Sequence, residues 1–219
     1  MLKYPCLVLD HDDTVVQSEA TINYPCFCEF LNIHRPSTVF TLAEYFSACS
    51  KMPFVELCRS RFHFTEAELQ EEYRFWKDYA DRHIPPPFPG IPELLHAYRK
   101  AGGRICVVSM SSEKNIRRDY QLHFGFQPDL IFSCDLPLEQ RKPNPYALEQ
   151  TARTYGFQPS QMLVVDDMTF AIPMARAVGC PVAFAAWGRT DQPELCAEME
   201  QRCNFTFRSP EDLMNFLFD

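Results

Sequence analysis

Short apolar segments recur along the chain, and each is bounded by polar or turn-forming residues. Runs of this length with such boundaries predict buried β-strands. Most are separated by helical stretches that end at glycine, the usual residue just after a helix. The predicted strands are Tyr4–Leu9, Ile105–Val108, Leu130–Phe132, Met162–Val165 and Pro181–Ala185, and the helices between them are Pro92–Ala101, Glu113–Phe124 and Pro145–Tyr155. This alternation predicts a doubly wound α/β fold, in which helices cover both faces of a parallel sheet.

Residues 16–86 interrupt the alternation of strands and helices. They contain no convincing strand and instead predict a group of helices, near Glu19–Leu31, Leu42–Ser47 and Thr65–Arg82. The proline-rich segment 85–90 cannot continue a helix and returns the chain to the sheet. We therefore expect residues 1–15 and 87–219 to form the α/β core, and residues 16–86 to form a small helical insert.

Composition narrows the classes of protein that this chain can be. Its 219 residues are 46% hydrophobic and 23% charged, as in a folded globular protein and unlike a disordered one. The net charge of -8 disfavours nucleic acids and anionic membranes as partners. No apolar run approaches the roughly 20 residues of a membrane span, and the first run is too short for a signal peptide.

The ten cysteines are scattered without a C-x-x-C pair, and several lie inside apolar runs. Reduced, buried thiols are the simplest interpretation, and they predict a cytoplasmic protein because a secreted chain would pair its cysteines. No coiled-coil repeat is present, which favours a monomer.

Chemically active residues follow the predicted strands. Asp10-His11-Asp12-Asp13-Thr14 follows the first strand, Ser109 the second and Asp166-Asp167 the fourth, while Lys142 precedes a helix. Because ligands bind beyond the carboxyl ends of strands in an open parallel sheet, we expect these residues to share one edge. Clustered acids repel one another unless a cation neutralises them. Mg²⁺ prefers oxygen ligands, so Asp10, Asp166 and Asp167 are its candidate ligands.

The same residues can be assigned to a phosphoryl-transfer reaction. Asp10 would be the nucleophile that forms an aspartyl-phosphate. Asp12, on the same side of the extended chain, would protonate the leaving alkoxide and then deprotonate the attacking water. Ser109 would donate a hydrogen bond to a phosphate oxygen, assisted by the start of the helix near Ser112. Lys142 would balance the negative charge of nucleophile and phosphate together.

Taken in this order, the motifs resemble those of the haloacid dehalogenase superfamily, and the resemblance covers the chain nearly end to end. The matching residues are Asp10-x-Asp12-x-Thr14, Ser109, Lys142-Pro143-x-Pro145 and Asp166-Asp167. The resemblance implies a Rossmann-like core and a subfamily I enzyme whose residues 16–86 form a C1-type cap that closes over the substrate. It also implies that the Asp12 backbone carbonyl is a metal ligand, and that Met110 joins Ser109 and Lys142 in binding phosphate. The function implied is Mg²⁺-dependent hydrolysis of a small phosphomonoester, with a small phosphorylated metabolite as the partner.

Two positions depart from the pattern of the superfamily. Asp13 stands where many relatives carry glycine. A residue other than glycine resists positive φ, so the local turn geometry at Asp13 could differ from that of these relatives. The segment Val165-Asp166-Asp167 replaces the commoner Gly-Asp or Glu-Asp, so either aspartate could be the direct metal ligand.

Residues around the motifs are expected to play supporting parts. Asp13 is expected to be structural, Thr14 to bond to the loop backbone, and His11 to point away from the neighbouring acids. In the insert, one set of aromatic residues is expected to form the core: Phe27, Phe30, Phe75, Trp76 and Tyr79. Surface solvation is the simpler role for Arg59, Arg61 and His63, with contact to the remote end of a substrate as the alternative.

Related functions remain as alternatives. A sugar-phosphate mutase of this type carries a histidine shortly after the Asp-x-Asp loop, where this chain has residues 18–22, SEATI. A dehalogenase needs neither Asp12 nor the acidic pair. A phosphonatase needs an imine-forming lysine in the cap, and neither Lys51 nor Lys77 has a recognisable setting for that role.

A response-regulator receiver domain is the alternative from a different class, a signalling module rather than an enzyme. Such a domain carries its acidic pair after the first strand and its phospho-acceptor after the third. This chain has a second acidic pair after the fourth strand and a large helical insert. Turnover of para-nitrophenyl phosphate would indicate the enzyme, whereas a single stable phosphorylation would indicate the module.

Overall fold

A computed structural model describes residues 2–49 and 51–219. The chain forms two compact units, of which the first runs to Gln17 and resumes at Pro86. The second unit is Ser18–Pro85, the part of the chain that lies between the first strand and the rest of the sheet.

The first unit contains a six-stranded parallel sheet with the order β3-β2-β1-β4-β5-β6. Its strands are β1 Cys6–Leu9, β2 Arg104–Val108, β3 Leu130–Phe132, β4 Met162–Asp166, β5 Val182–Ala185 and β6 Phe205–Phe207. The predicted α/β fold with a parallel sheet is therefore confirmed. The sixth strand was not predicted, because its sequence Phe-Thr-Phe lacks the continuous apolar run that marked the other strands.

Helices connect the strands of the first unit and make up most of the second. In the described residues they are α1 Tyr24–His34, α2 Leu42–Cys49, α3 Phe54–Phe62, α4 Glu66–Arg82, α5 Ile91–Lys100, α6 Glu113–Phe124, α7 Tyr146–Tyr155, α8 Ala171–Val178, α9 Pro193–Arg202 and α10 Pro210–Phe218. The helices α6 and α7 end at Gly125 and Gly156, both of which are left-handed. In this conformation the N–H groups that follow the helix donate to its last free carbonyls, and glycine adopts it without a steric clash because it has no Cβ.

Two apolar cores lie on opposite faces of the sheet. Successive side chains of a strand point to opposite faces, so Leu7 and Leu9 pack into one core while Cys6 and Val8 pack into the other. Burial on both faces explains why the strand is apolar throughout. β1 lies between β2 and β4, and Leu9 is level with both Val107 and Val165. The residues that follow these three strands therefore emerge at the same edge of the sheet.

The second unit is a helical bundle with an aromatic core. Phe27 and Phe30 of α1 are buried against Phe62 and Phe64. A capping box at Thr65 and Glu68 begins α4, as two reciprocal hydrogen bonds satisfy backbone N–H groups there.

Two details of this unit differ from the sequence expectation. The stretch predicted as one helix begins as a π-helical turn at Glu19–Asn23 and becomes α-helical at Tyr24. The helix α3 was not predicted. Its arginines form exposed ion pairs inside the unit, Arg59 with Glu66 and Arg61 with Glu44, which is consistent with the surface role.

Glu72 is a buried acid on α4 within the second unit. Burial raises its pKa from 4.5 to about 7. Its neighbours include the thiols of Cys26 and Cys58, whose pKa values burial and the charge of Glu72 raise to about 12. Between pH 4.5 and about 7 the folded protein therefore keeps the Glu72 proton that the unfolded chain has released. The contribution of Glu72 to the free energy of unfolding falls as the pH rises through this range.

We predict that Glu72→Gln stabilises the protein above pH 7, by up to about 3 kcal/mol, because each pKa unit corresponds to about 1.4 kcal/mol. The gain should vanish below pH 4.5, where both states bind the proton. Thermal unfolding of parent and variant across this pH range measures the difference. The control is Glu71→Gln, since that side chain is 55% exposed. A difference in unfolding temperature between Glu72→Gln and the parent that stays the same at every pH would contradict the prediction.

Candidate active site

Three carboxylates meet where β1 and β4 end. Asp10, Asp166 and Asp167 are buried, and each offers an oxygen that lies within 4.8 Å of the other two. The Asp10 N–H donates to the carbonyl of Val165 at 2.9 Å, so the backbone of one loop is fixed against the neighbouring strand. The adjacency of β1 and β4 thus places side chains from distant parts of the sequence in one cluster.

Lys142 lies among these acids. Its Nζ is 2.6 Å from Asp10 Oδ1 and 2.6 Å from Asp166 Oδ2, and 5% of its side chain is exposed. Burial alone would lower the pKa of Lys142, but Asp10 and Asp166 outweigh it and raise the pKa above its ordinary value. The lysine is therefore a permanent cation that joins two carboxylates.

One ammonium does not balance the cluster. Burial raises the pKa of Asp10 well above its ordinary value; Lys142 opposes this rise, while Asp166, Asp167 and Asp12 add to it. The pKa of Asp166 is raised by burial and by Asp167, again against Lys142. A group of hard oxygen donors with uncompensated negative charge fits a divalent cation such as Mg²⁺.

Asp12 is held by two serines that follow β2. Ser109 Oγ donates to Asp12 Oδ2 at 3.1 Å, and Ser111 Oγ donates to the same oxygen at 2.6 Å. The Ser111 N–H in turn donates to Ser109 Oγ at 3.0 Å. Ser112 begins α6, with its side chain accepting from the Asn115 N–H. Sequence reasoning identified Ser109 but missed Ser111, for which the run of serines was the only signal.

Met110 lies between the two serines, and its side chain points toward solvent, as the residue is 50% exposed. The phosphate-binding role of Met110 stays a prediction, and an exposed side chain leaves its backbone N–H as the natural donor.

The rest of the Asp10 loop is tied to the end of β4 and to the segment after β5. Thr14 was expected to bond to the loop backbone, but its Oγ1 donates to Asp167 Oδ1 at 3.1 Å, because β4 brings that carboxylate within reach. Asp13 has a φ of 53°, the left-handed conformation that glycine would adopt more readily. Arg189, which the sequence did not single out, contacts both Asp13 and Asp167.

His11 lies apart from the carboxylate cluster. Its Nε2 is 3.1 Å from Asp119 Oδ2, and its ring stacks on Tyr120 at 5.9 Å between centroids. Both contacts come from α6, so the side chain fastens the loop to that helix. Asp119 also accepts from Arg118 Nε at 2.8 Å. No local pattern pointed to Asp119, since it lies in a helix 108 residues away from His11.

Comparison with known proteins identifies relatives of this chain. A phosphoglycolate phosphatase of Aquifex aeolicus is 28% identical over 155 residues, which cover 68% of this chain and 70% of the relative. Another from Thiobacillus denitrificans is 30% identical over 105 residues, covering 47% of this chain and 45% of the relative, so the match spans about half of that protein.

The fold also has a close counterpart among solved structures. A subfamily IA hydrolase of the haloacid dehalogenase superfamily from Geobacter sulfurreducens superimposes with a TM-score of 0.73 at 14% identity, covering 99% of this chain and 97% of its own. At this identity the likeness shows the fold alone. Among the described residues, no helix combines the length and the apolar character needed to cross a membrane.

The family model for the haloacid dehalogenase-like hydrolases matches residues 4–179, which include every motif described above. The chain is therefore an enzyme of the haloacid dehalogenase-like hydrolase family.

Proposed function

We propose that the protein is a Mg²⁺-dependent phosphatase that hydrolyses a small phosphomonoester through an aspartyl-phosphate on Asp10. The observation that carries the proposal is the position of Asp10, whose carboxylate binds Lys142 at 2.6 Å and lies within 4.8 Å of the carboxylates of Asp166 and Asp167. A buried nucleophile that lies beside the Lys142 ammonium and beside carboxylates able to bind a metal ion suits the transfer of an anionic phosphoryl group.

The reaction proceeds in two displacements. An oxygen of Asp10 attacks phosphorus, the bond from phosphorus to the ester oxygen breaks, and Asp12 gives its proton to the departing alkoxide. Water then attacks phosphorus, the bond to Asp10 breaks, and Asp12 accepts the proton from the water. Ser109 and Ser111, which both donate to Asp12 Oδ2, orient this acid and base.

Asp10, Asp166 and Asp167, together with the backbone carbonyl of Asp12, would hold Mg²⁺. When bound, the ion supplies positive charge to the phosphate oxygens as negative charge builds up in the transition state. Lys142 provides a second cation on the Asp10 side, and Ser109 and the Met110 N–H would bind phosphate oxygens.

The substrate is a small phosphorylated metabolite, and 2-phosphoglycolate is the first compound to test, because both of the relatives described above are phosphoglycolate phosphatases. Residues 18–85 would serve as the cap that selects it, since they are inserted directly after the Asp10 loop. A panel of phosphate esters assayed under identical conditions would identify the preferred substrate.

We predict that Asp10→Asn lowers the turnover of para-nitrophenyl phosphate by at least about 10³-fold, since an amide cannot form the covalent intermediate. The fold should persist, as judged by circular dichroism. The matched control is Asp191→Asn, which alters an exposed aspartate outside the cluster. An active, purified Asp10→Asn enzyme would remove Asp10 from its role.

Lys142→Met should reduce turnover by about 10²-fold or more, because the cation that faces Asp10 and the phosphate is lost. It should also lower the unfolding temperature, as two buried acids lose their counter-charge. Lys100→Met, at an exposed position, is the control. Turnover equal to that of the parent would show that Lys142 has no part in the chemistry.

Removal of divalent cations by a chelator is expected to abolish turnover, and added Mg²⁺ should restore it, because the carboxylate cluster repels an anionic substrate without a cation. The assay is para-nitrophenyl phosphate hydrolysis with and without chelator. Full activity in the chelator would contradict the dependence on metal.

A further inference from the structure

We propose that Arg189 is a positioning residue that fixes Asp167 for Mg²⁺ binding, and that Asp13 acts through Arg189 by neutralising its charge. This inference rests on the proposed function in one respect, namely that the carboxylate cluster binds Mg²⁺.

Asp167 is restrained at both of its oxygens. Arg189 reaches Oδ2 with two nitrogens, Nε at 2.6 Å and Nη2 at 2.5 Å. Thr14 Oγ1 donates to Oδ1 at 3.1 Å. A carboxylate held by charge-assisted hydrogen bonds on both oxygens keeps one orientation. Partners of this kind set the direction in which a metal ligand presents its remaining lone pairs.

The third nitrogen of the same guanidinium binds a different acid. Arg189 Nη1 is 3.2 Å from Asp13 Oδ2, and only 4% of the Asp13 side chain is exposed. The planar fork of arginine can serve two carboxylates in this way, whereas the single ammonium of lysine has no such geometry. Arg189 therefore joins the loop after β1 to the end of β4.

The backbone around Arg189 is built for this close approach. The Trp187 Nε1 donates to the carbonyl of Thr14 at 2.9 Å. At Gly188, a Cβ would lie 1.9 Å from the carbonyl oxygen of Asp13, so any side chain there would push the two segments apart. Residues 187–189, which follow β5, thus all contact the Asp13-Thr14 segment. This contact determines the position of the Arg189 guanidinium.

Charge explains why Asp13 is needed as well. A lone arginine beside Asp167 would cancel part of the negative charge that attracts a metal cation. Paired with Asp13, the guanidinium is locally neutralised, and the negative charge of Asp10, Asp166 and Asp167 is kept for Mg²⁺. The pairing also gives Asp13 a reason to occupy a position with a φ of 53°, where glycine would be less strained.

The experiment is a double-mutant cycle on the full chain, with Arg189→Gln, Asp13→Asn and the double variant. Isothermal titration with MgCl₂ gives the Kd for Mg²⁺, and thermal unfolding reports stability separately. Arg189→Gln is expected to raise the Kd by about tenfold or more, the size of effect that outer-shell partners of metal ligands show. Asp13→Asn should raise it by about threefold, and the double variant should be no weaker than Arg189→Gln alone.

Arg189→Lys keeps the charge and removes the fork, so it tests the geometry and serves if Arg189→Gln fails to fold. Its Kd is also expected to rise. The control is Arg208→Gln, an arginine whose side chain is 75% exposed and which pairs with Glu200. A lower unfolding temperature with an unchanged Kd in both Arg189 variants would make Arg189 a structural ion pair and overturn the proposal. Additive effects in the cycle would overturn the role of Asp13.

The outcomes also separate this inference from the proposed function. A parent enzyme that hydrolyses phosphate esters, with Arg189 variants of unchanged Kd, leaves the function standing and refutes the role of Arg189. A parent that binds Mg²⁺ without phosphatase activity, with weaker binding in the variants, supports Arg189 and refutes the function. A parent that binds no Mg²⁺ refutes both.

Discussion

The ammonium of Lys142, buried between Asp10 and Asp166, is the interaction on which the rest of the site depends. Buried carboxylates this close to one another repel strongly, and burial raises their pKa values as well. Lys142, with two contacts of 2.6 Å, holds Asp10 and Asp166 together. Arg189 is shared between Asp167 and Asp13, so the cluster keeps excess negative charge. That excess makes the cluster suited to a metal ion and to the phosphate it would carry.

The order of the sheet explains how much could be predicted from the sequence. Asp10 and Asp166-Asp167 follow apolar runs that had to be buried strands, and the carboxyl ends of parallel strands share an edge. The fold class and the grouping of these acids followed from local patterns, without knowledge of the strand order. The α6 helix was predicted with its observed bounds because its cap and its final glycine are both local signals.

The other contacts of the site could not be predicted from the sequence, because they depend on the tertiary structure. Nothing in the sequence marks Arg189, and only the neighbouring serines mark Ser111. Their roles come from the order of the sheet, in which β2 lies beside β1 and β5 lies beside β4. Thr14 could have satisfied its hydroxyl locally, but the neighbouring strand offered the charged acceptor Asp167, a stronger partner than a backbone carbonyl. Asp13 looked like a poor substitute for glycine, whereas the structure gives it the Arg189 guanidinium as a partner.

The central claim is that Asp10 carries the phosphoryl group during turnover, and rapid acid quench tests it most directly. The enzyme would be mixed with Mg²⁺ and a phosphate ester, quenched within the first turnover, digested and examined by mass spectrometry. The account predicts a phosphoryl group on the peptide that contains Asp10, which disappears as turnover ends. Product release in a burst without any phosphorylated peptide, or phosphate on a different residue, would contradict it.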